Sequence, residues 1–126
     1  MKTREAAFAR PLFFAYDPAV AEVSDIVISP AAVADVPAIK SLLAEADLPT
    51  AGVDEHWQTF LVARDGGRIV ACGGSEAYHT AALLRSIAVQ PSYRSHGLGR
   101  RLVRQLLDRL SSRGLREFYL LTTTAE

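Results

Sequence analysis

The stretch VQPSYRSHGLGRRLV, residues 89–103, joins a strand pattern to a helix pattern. An apolar run ends at Pro91, and Gly97 and Gly99 stand where a long amphipathic pattern begins. Glycine lets the backbone turn sharply and leaves room for a ligand to approach. The first N–H groups of a helix have no partner inside the helix and carry partial positive charge. The stretch therefore predicts a strand, a loop that can bind an anion such as pyrophosphate, and a helix.

Three arginines in this stretch strengthen the anion-binding interpretation: Arg94, Arg100 and Arg101. Positive charge is unfavourable beside an empty helix N-terminus but favourable beside one that holds a phosphate. The alternative is a glycine-assisted turn into a core helix with solvated arginines. Two common phosphate motifs do not fit: the Gly-Lys-Ser/Thr of a P-loop is missing, and Leu102 stands at the third glycine of a dinucleotide fingerprint.

The composition points to one domain with a real core. The chain has 126 residues, 49% of them hydrophobic, and a formal net charge of zero, which favours neither nucleic acid nor an acidic membrane as partner. No apolar run is long enough to cross a bilayer, and no signal peptide is evident. Cys72 is the single cysteine, which excludes an intrachain disulfide and favours a cytoplasmic location; we expect it to be a small buried strand residue. The three separated histidines predict no metal site.

The remaining patterns predict a mixed α/β sheet in the order strand, helix, hairpin, strand, helix, strand. The hairpin is indicated by DGG between two strand patterns, and Gly114 is expected to cap the longest helix. Alternation and helical periodicity predict strands over 25–29, 59–79 (the hairpin), 81–89 and 116–124, helices over 35–49 and 98–113, and one further helical turn in VDEHWQ.

The run Arg94-Ser95-His96-Gly97-Leu98-Gly99 resembles the [Arg/Gln]-x-x-Gly-x-[Gly/Ala] coenzyme A loop of the GNAT family of N-acetyltransferases. The likeness extends from about residue 26 to the end of the chain, and RSIAVQPSYR looks like the family's fourth strand entering the loop. EADLPTAGVDEHWQTFLVARDGGRIVACGG, ALLRSIAV and YLLTTTAE look like the arsenic-resistance branch. That branch is linked to acetylation of the amine of organoarsenical or phosphinothricin-like amino acids.

The resemblance implies an α/β (α+β) fold, a largely antiparallel sheet flanked by helices, with two strands splayed apart to hold the pantetheine arm. It implies acetyl-CoA as cosubstrate and direct transfer to an amine, without a nucleophilic side chain. The Val89 N–H would polarise the thioester carbonyl. The coenzyme A-binding residues that it implies are Ile87, Ala88, Val89, Arg94, Ser95, His96, Gly97, Leu98, Gly99 and Arg100.

A general base is needed because an amine with an ordinary pKa near ~10 is mostly protonated at neutral pH. Many relatives place glutamate where this chain has Arg85. Arg85 is instead a candidate clamp for a substrate carboxylate, phosphinate or arsonate, or else a solvated strand arginine. Glu76 is the candidate base, directly or through water, or else a solvent-facing carboxylate. Tyr78, a candidate substrate contact, and His79 are weaker candidates for proton relay.

The rival function is a GNAT-like module that binds coenzyme A or a partner protein without catalysis. Two departures support it: Arg85 replaces the glutamate, and the family's domain ordinarily continues beyond the last strand of this chain. We expect residues 25–126 to form a GNAT domain that is incomplete at its C-terminus, with residues 1–24 as an extension. Residues 5–16 could fill the missing helix-and-strand place, within one subunit or by exchange in a homodimer; the alternative is a disordered leader with ordinary dimerisation.

Overall fold

The computed structural model of the protein describes residues 25–120. Two sequence-based expectations lie outside these residues. One is the helix and strand expected within residues 5–16, together with its exchange between subunits. The other is the end of the last strand, from residue 121 onward.

In the described part of the chain, five strands form one sheet in the order β1-β2-β3-β4-β5, which is also their order along the chain. The first four strands are antiparallel to their neighbours, whereas β4 and β5 are parallel. A parallel pair needs a long crossover connection, and here the long amphipathic helix supplies it. The strands are β1 Val27–Pro30, β2 Leu61–Asp65, β3 Arg68–Tyr78, β4 Ala81–Val89 and β5 Glu117–Leu120.

Within residues 25–120, three α-helices accompany the sheet. The helices are α1 Val36–Glu45, α2 Val53–His56 and α3 Leu98–Ser112. Short 3-10 turns precede α1, follow α2 and follow β4, the last over Pro91–Tyr93. No helix within residues 25–120 has the length and apolar character needed to span a bilayer.

Apolar clusters cover the two faces of the sheet. On one face α3 buries the leucines of its apolar stripe against the strands: Leu98, Leu102, Leu106 and Leu110. On the other face α1 buries Val36, Ile39, Leu42 and Leu43. Each fully buried side chain of this kind stabilises the fold by about 1.5–3 kcal/mol relative to exposure. The two helices therefore hold the sheet from both sides.

The structure confirms the fold class and most of the predicted elements. The hairpin turns at Gly66 and Gly67, α3 covers the predicted helix, and Gly114 follows it with a φ of 92°. The helix predicted over 35–49 is shorter, because Asp47 adopts a φ of 59° and the Leu48 N–H turns back to the Leu43 carbonyl. The first strand lies slightly later than predicted and ends in Pro30, which an edge strand tolerates.

Candidate active site

The glycine loop forms a tight left-handed turn into α3. Ser95 and Gly97 have φ angles of 70° and 79°, and α3 begins at Leu98. A Cβ placed on Gly97 would meet no atom within 4 Å, so this side of the loop is open. The first N–H groups of α3 have no carbonyl partner in the preceding turn because the helix starts there. The loop thus has the geometry expected of an anion site.

Side chains around the loop divide into anchors and exposed groups. Leu98 is 1% exposed within the core, so only its backbone is available to a ligand. Arg101, half-buried, donates from Nη2 to the Ile26 carbonyl at 3.1 Å and ties α3 to the chain before β1. Arg94 donates from Nε to the Val89 carbonyl at 3.0 Å, which holds its side chain beside the end of β4. His96 and Arg100 are exposed at the loop surface.

Strand β4 contains a bulge just before this loop. Cys72 pairs with Ala88 and Gly74 pairs with Arg85, so Gly73 faces two residues of β4 instead of one. Ser86, one of the two, has a φ of 59°. A bulge bends the strand and changes the direction of its side chains. As a result the consecutive residues Arg85 and Ser86 both line the same cleft.

The backbone of Val89 faces away from β3. The next N–H, that of Gln90, donates to the Val70 carbonyl on β3 at 2.8 Å. Because successive backbone groups of a strand point to opposite sides, the Val89 N–H points toward the other edge of β4. On that edge the described part of β5 pairs with β4 only from Ala81 to Leu84. The Val89 N–H therefore faces the edge of β4 beyond the part that the described residues of β5 cover.

A small cleft opens on the α1 side of the sheet, with a volume of about 30 Å³. It offers room for about two water molecules. Its walls come from the α2 segment, from the turn before β2 and from the middle of β3 and β4: Ala51, Gly52, Val53, His56, Thr59, Phe60, Ser75, Glu76, Arg85 and Ser86. An ion pair at 2.5 Å between Lys40 Nζ and Asp54 Oδ2 links α1 to α2.

Glu76 is the most constrained ionisable group of this cleft. Its Oε2 accepts a hydrogen bond from Arg85 Nη1 at 2.5 Å, and its Oε1 accepts one from the Tyr78 hydroxyl. The Tyr78 hydrogen bond, and next the Arg85 hydrogen bond, hold the pKa of Glu76 below its ordinary value. The same carboxylate raises the pKa of Tyr78. Glu76 is consequently a stabilised carboxylate at neutral pH.

The comparison with protein families identifies the family to which this chain is related. Residues 36–126 match the model of the acetyltransferase (GNAT) family, a span that contains the cleft, the bulge and the glycine loop. The chain belongs to the GNAT acetyltransferase family. Enzymes of this family use acetyl-CoA as cosubstrate, the same cosubstrate that the sequence predicts.

Individual GNAT proteins are similar over part of their length. An uncharacterised N-acetyltransferase of Chlorobaculum tepidum is 37% identical over 70 residues, which are 54% of this chain and 44% of that protein. A Mycobacterium tuberculosis protein solved with CoA and NLQ has a TM-score of 0.70 at 29% identity, over 77% of this chain and 64% of that one. The Escherichia coli ribosomal-protein-S18-alanine N-acetyltransferase has a TM-score of 0.67 at 26% identity, over 75% and 65%. This chain thus spans about half to two thirds of these relatives.

Several residues of this GNAT cleft were not singled out from the sequence. His56 lines the cleft and contributes to the lowered pKa of Glu76. Thr59, Phe60 and Ser75 line it as well. A histidine at the end of a four-residue helix carries no periodic signal, so only the tertiary fold could have placed it beside Glu76.

Other candidates lie outside the cleft. His79 occupies the two-residue turn between β3 and β4, with a φ of 56°. Cys72 is fully buried in β3, as predicted, and burial raises the pKa of its thiol to about 12. Within residues 25–120, no three metal-ligating side chains lie together.

Proposed function

We propose that this protein is an acetyl-CoA-dependent N-acetyltransferase that acts on the amine of a small acidic substrate. The observation that carries the proposal is the contact between Arg85 and Glu76 in the cleft, one bulge away from Val89. A guanidinium is suited to bind the anion of the substrate, and a neighbouring carboxylate is suited to accept a proton from its ammonium group. One cleft therefore offers both groups that an acidic amine requires.

The glycine loop fits the diphosphate of coenzyme A. The open side of Gly97, the free N–H groups at the start of α3 and the exposed Arg100 together suit an anionic group at this position. Ser95, His96, Leu98 and Gly99 would contribute their backbone, and Arg94 its remaining guanidinium donors. The backbone of Ile87, Ala88 and Val89 would pair with the pantetheine amides in the manner of an added strand.

The chemistry assigned to this chain's residues is a proton transfer and the stabilisation of an oxyanion. Glu76 takes a proton from the substrate ammonium, directly or through one of the waters that the cleft can hold. The amine nitrogen then forms a bond to the thioester carbonyl carbon, and the carbon–sulfur bond breaks. The Val89 N–H donates to the carbonyl oxygen as its negative charge develops. The nitrogen loses its second proton to the departing sulfur, so coenzyme A leaves as the thiol.

We further propose an amino acid with a second anionic group as substrate, including the phosphinate- and arsonate-bearing amino acids of the arsenic-resistance branch. Arg85 supports this, because its fork of donors matches tetrahedral oxyanions as well as carboxylates. The homodimer and the cytoplasmic location expected from the sequence stay predictions.

Substitution of Arg85 tests the substrate class. In Arg85→Ala we expect KM to rise far more for acidic amines than for neutral amines of the same size, because only the acidic ones lose an ion pair. Arg104→Ala, which changes an exposed arginine of α3, is the matched control. Thiol release from acetyl-CoA measures both. An equal loss on acidic and neutral amines would assign Arg85 a structural role and overturn the proposed substrate class.

A further inference from the structure

The same two residues that the proposed reaction needs are bound to each other in the wall of the cleft. Arg85 from β4 and Glu76 from β3 form an ion pair at 2.5 Å. A substrate whose anion binds Arg85 must replace Glu76 as the partner of the guanidinium. The cost of separating the pair therefore depends on what replaces it.

Both oxygens of Glu76 are engaged in this state. Arg85 donates to Oε2, and Tyr78 donates to Oε1. Among residues 25–120, the side chains that lower the pKa of Glu76 are Tyr78 from its own strand, Arg85 from β4 and His56 from α2. A carboxylate that accepts hydrogen bonds beside positive charge is a weak base. Proton transfer from an ammonium group to Glu76 is accordingly least favourable while Arg85 is bound to it.

The two side chains are only partly shielded from solvent, with exposed fractions of 32% for Arg85 and 25% for Glu76. A neutral amine that separates them leaves a half-buried guanidinium without an anionic partner, which is unfavourable. An acidic amine supplies a replacement anion, so that Arg85 exchanges one oxyanion partner for another. The exchange costs Arg85 little free energy, because one anionic partner replaces another. Glu76 is left with one cationic partner fewer.

We propose that Arg85 restrains Glu76 in the empty cleft and that the anionic group of the substrate releases Glu76 by taking Arg85 as its own partner. The inference rests on the proposed function and deepens it. The base becomes competent only when an acidic substrate is bound, so the specificity lies in the proton-transfer step as well as in binding. Neutral amines are disfavoured in two steps. They bind less favourably because they leave Arg85 without an anionic partner, and they do not release Glu76 for proton transfer.

A titration of Glu76 in the full chain tests this restraint. Carbon-13 NMR follows the Glu76 carboxyl, assigned by its disappearance in Glu76→Gln. N-acetyltaurine and its uncharged sulfonamide are the matched probes, because they differ in one anionic group, neither carries a titrating amine, and the sulfonate stays ionised where carboxylates titrate. We expect saturating N-acetyltaurine to move the titration midpoint of Glu76 upward, toward the ordinary value, and the sulfonamide to leave it in place.

The Arg85→Gln variant provides the same test without a ligand. Its Glu76 should titrate at the raised midpoint from the start and no longer respond to N-acetyltaurine. A midpoint that is the same in Arg85→Gln and in the parent protein would overturn the restraint. If the midpoint moves as expected but no amine is acetylated, the restraint stands and the proposed function is wrong. If acidic amines are acetylated while the midpoint never moves, the function stands and the restraint is wrong.

Discussion

Gly99, at the start of α3, lies so close to Val89, at the end of β4, that a Cβ added to it would be 3.5 Å from Cγ2 of Val89. That separation is an ordinary van der Waals contact, so the fold itself tolerates a small side chain at this position. Packing within the fold therefore does not require glycine here, which agrees with the proposed approach of a ligand to the backbone.

Substitution of the loop glycines tests the coenzyme A site. We expect Gly97→Val and Gly99→Val to abolish acetyl-CoA binding in titration calorimetry, because a branched side chain blocks the backbone N–H groups. Gly66→Val in the β2–β3 turn is the matched control: Gly66 also has a positive φ and also has open space around it. Gly97→Val and Gly66→Val should lose similar stability, about 1–2 kcal/mol, from the left-handed backbone alone. Retained affinity in both loop variants would remove the loop from the coenzyme A site.

The ion pair between Asp35 and Arg64 is expected to stabilise the fold. Asp35 is 8% exposed and accepts hydrogen bonds from Arg64 Nη1 at 3.1 Å, from Arg64 Nη2 at 2.5 Å and from the Ala32 N–H at 2.8 Å. We expect Asp35→Asn to cost about 2 kcal/mol, between the values for exposed and fully buried pairs. Asp54→Asn, which breaks the exposed pair with Lys40, should cost less than about 1 kcal/mol. Urea unfolding of both variants measures the difference.

The same pair gives the stability a defined pH dependence. The Arg64 hydrogen bond holds the folded-state pKa of Asp35 below its ordinary value of 3.8. The unfolded state therefore binds the proton more tightly, so the stabilisation is complete above about pH 4 and is lost as the pH falls through the folded-state pKa. In Asp35→Asn, the free energy of unfolding should fall less steeply as the pH is lowered. An unchanged slope at acidic pH would mean that other carboxylates determine this dependence.

Cys72 is expected to be unreactive in the folded protein. It is fully buried, and its pKa is raised to about 12 by burial, so almost no thiolate exists at pH 8. Iodoacetamide should leave the native protein unmodified over hours and should alkylate it rapidly in guanidinium chloride, as followed by mass spectrometry. Rapid alkylation under native conditions would show that β3 opens locally.

The elements of the fold were predictable wherever the signal was local. The DGG turn and the apolar stripe of α3 depend on residues close together in sequence, and both were predicted correctly. The contact between Arg85 and Glu76 depends on the register of two strands, and the bulge at Ser86 shifts that register. Arg101 was assigned to the anion loop together with Arg94 and Arg100, but the structure also uses it to anchor the chain before β1. Such roles arise from tertiary packing, which periodicity does not encode.

The most direct test of the central claim is acetyl transfer itself. Purified protein is mixed with acetyl-CoA and, in separate reactions, L-glutamate, phosphinothricin and neutral amines of similar size, and the products are identified by mass spectrometry. The account predicts an N-acetylated product and stoichiometric thiol release with at least one acidic amine. In Glu76→Gln, both should form much more slowly than in the parent protein. Binding of acetyl-CoA without an acetylated product from any amine would contradict it and would favour a coenzyme A-binding module without catalysis.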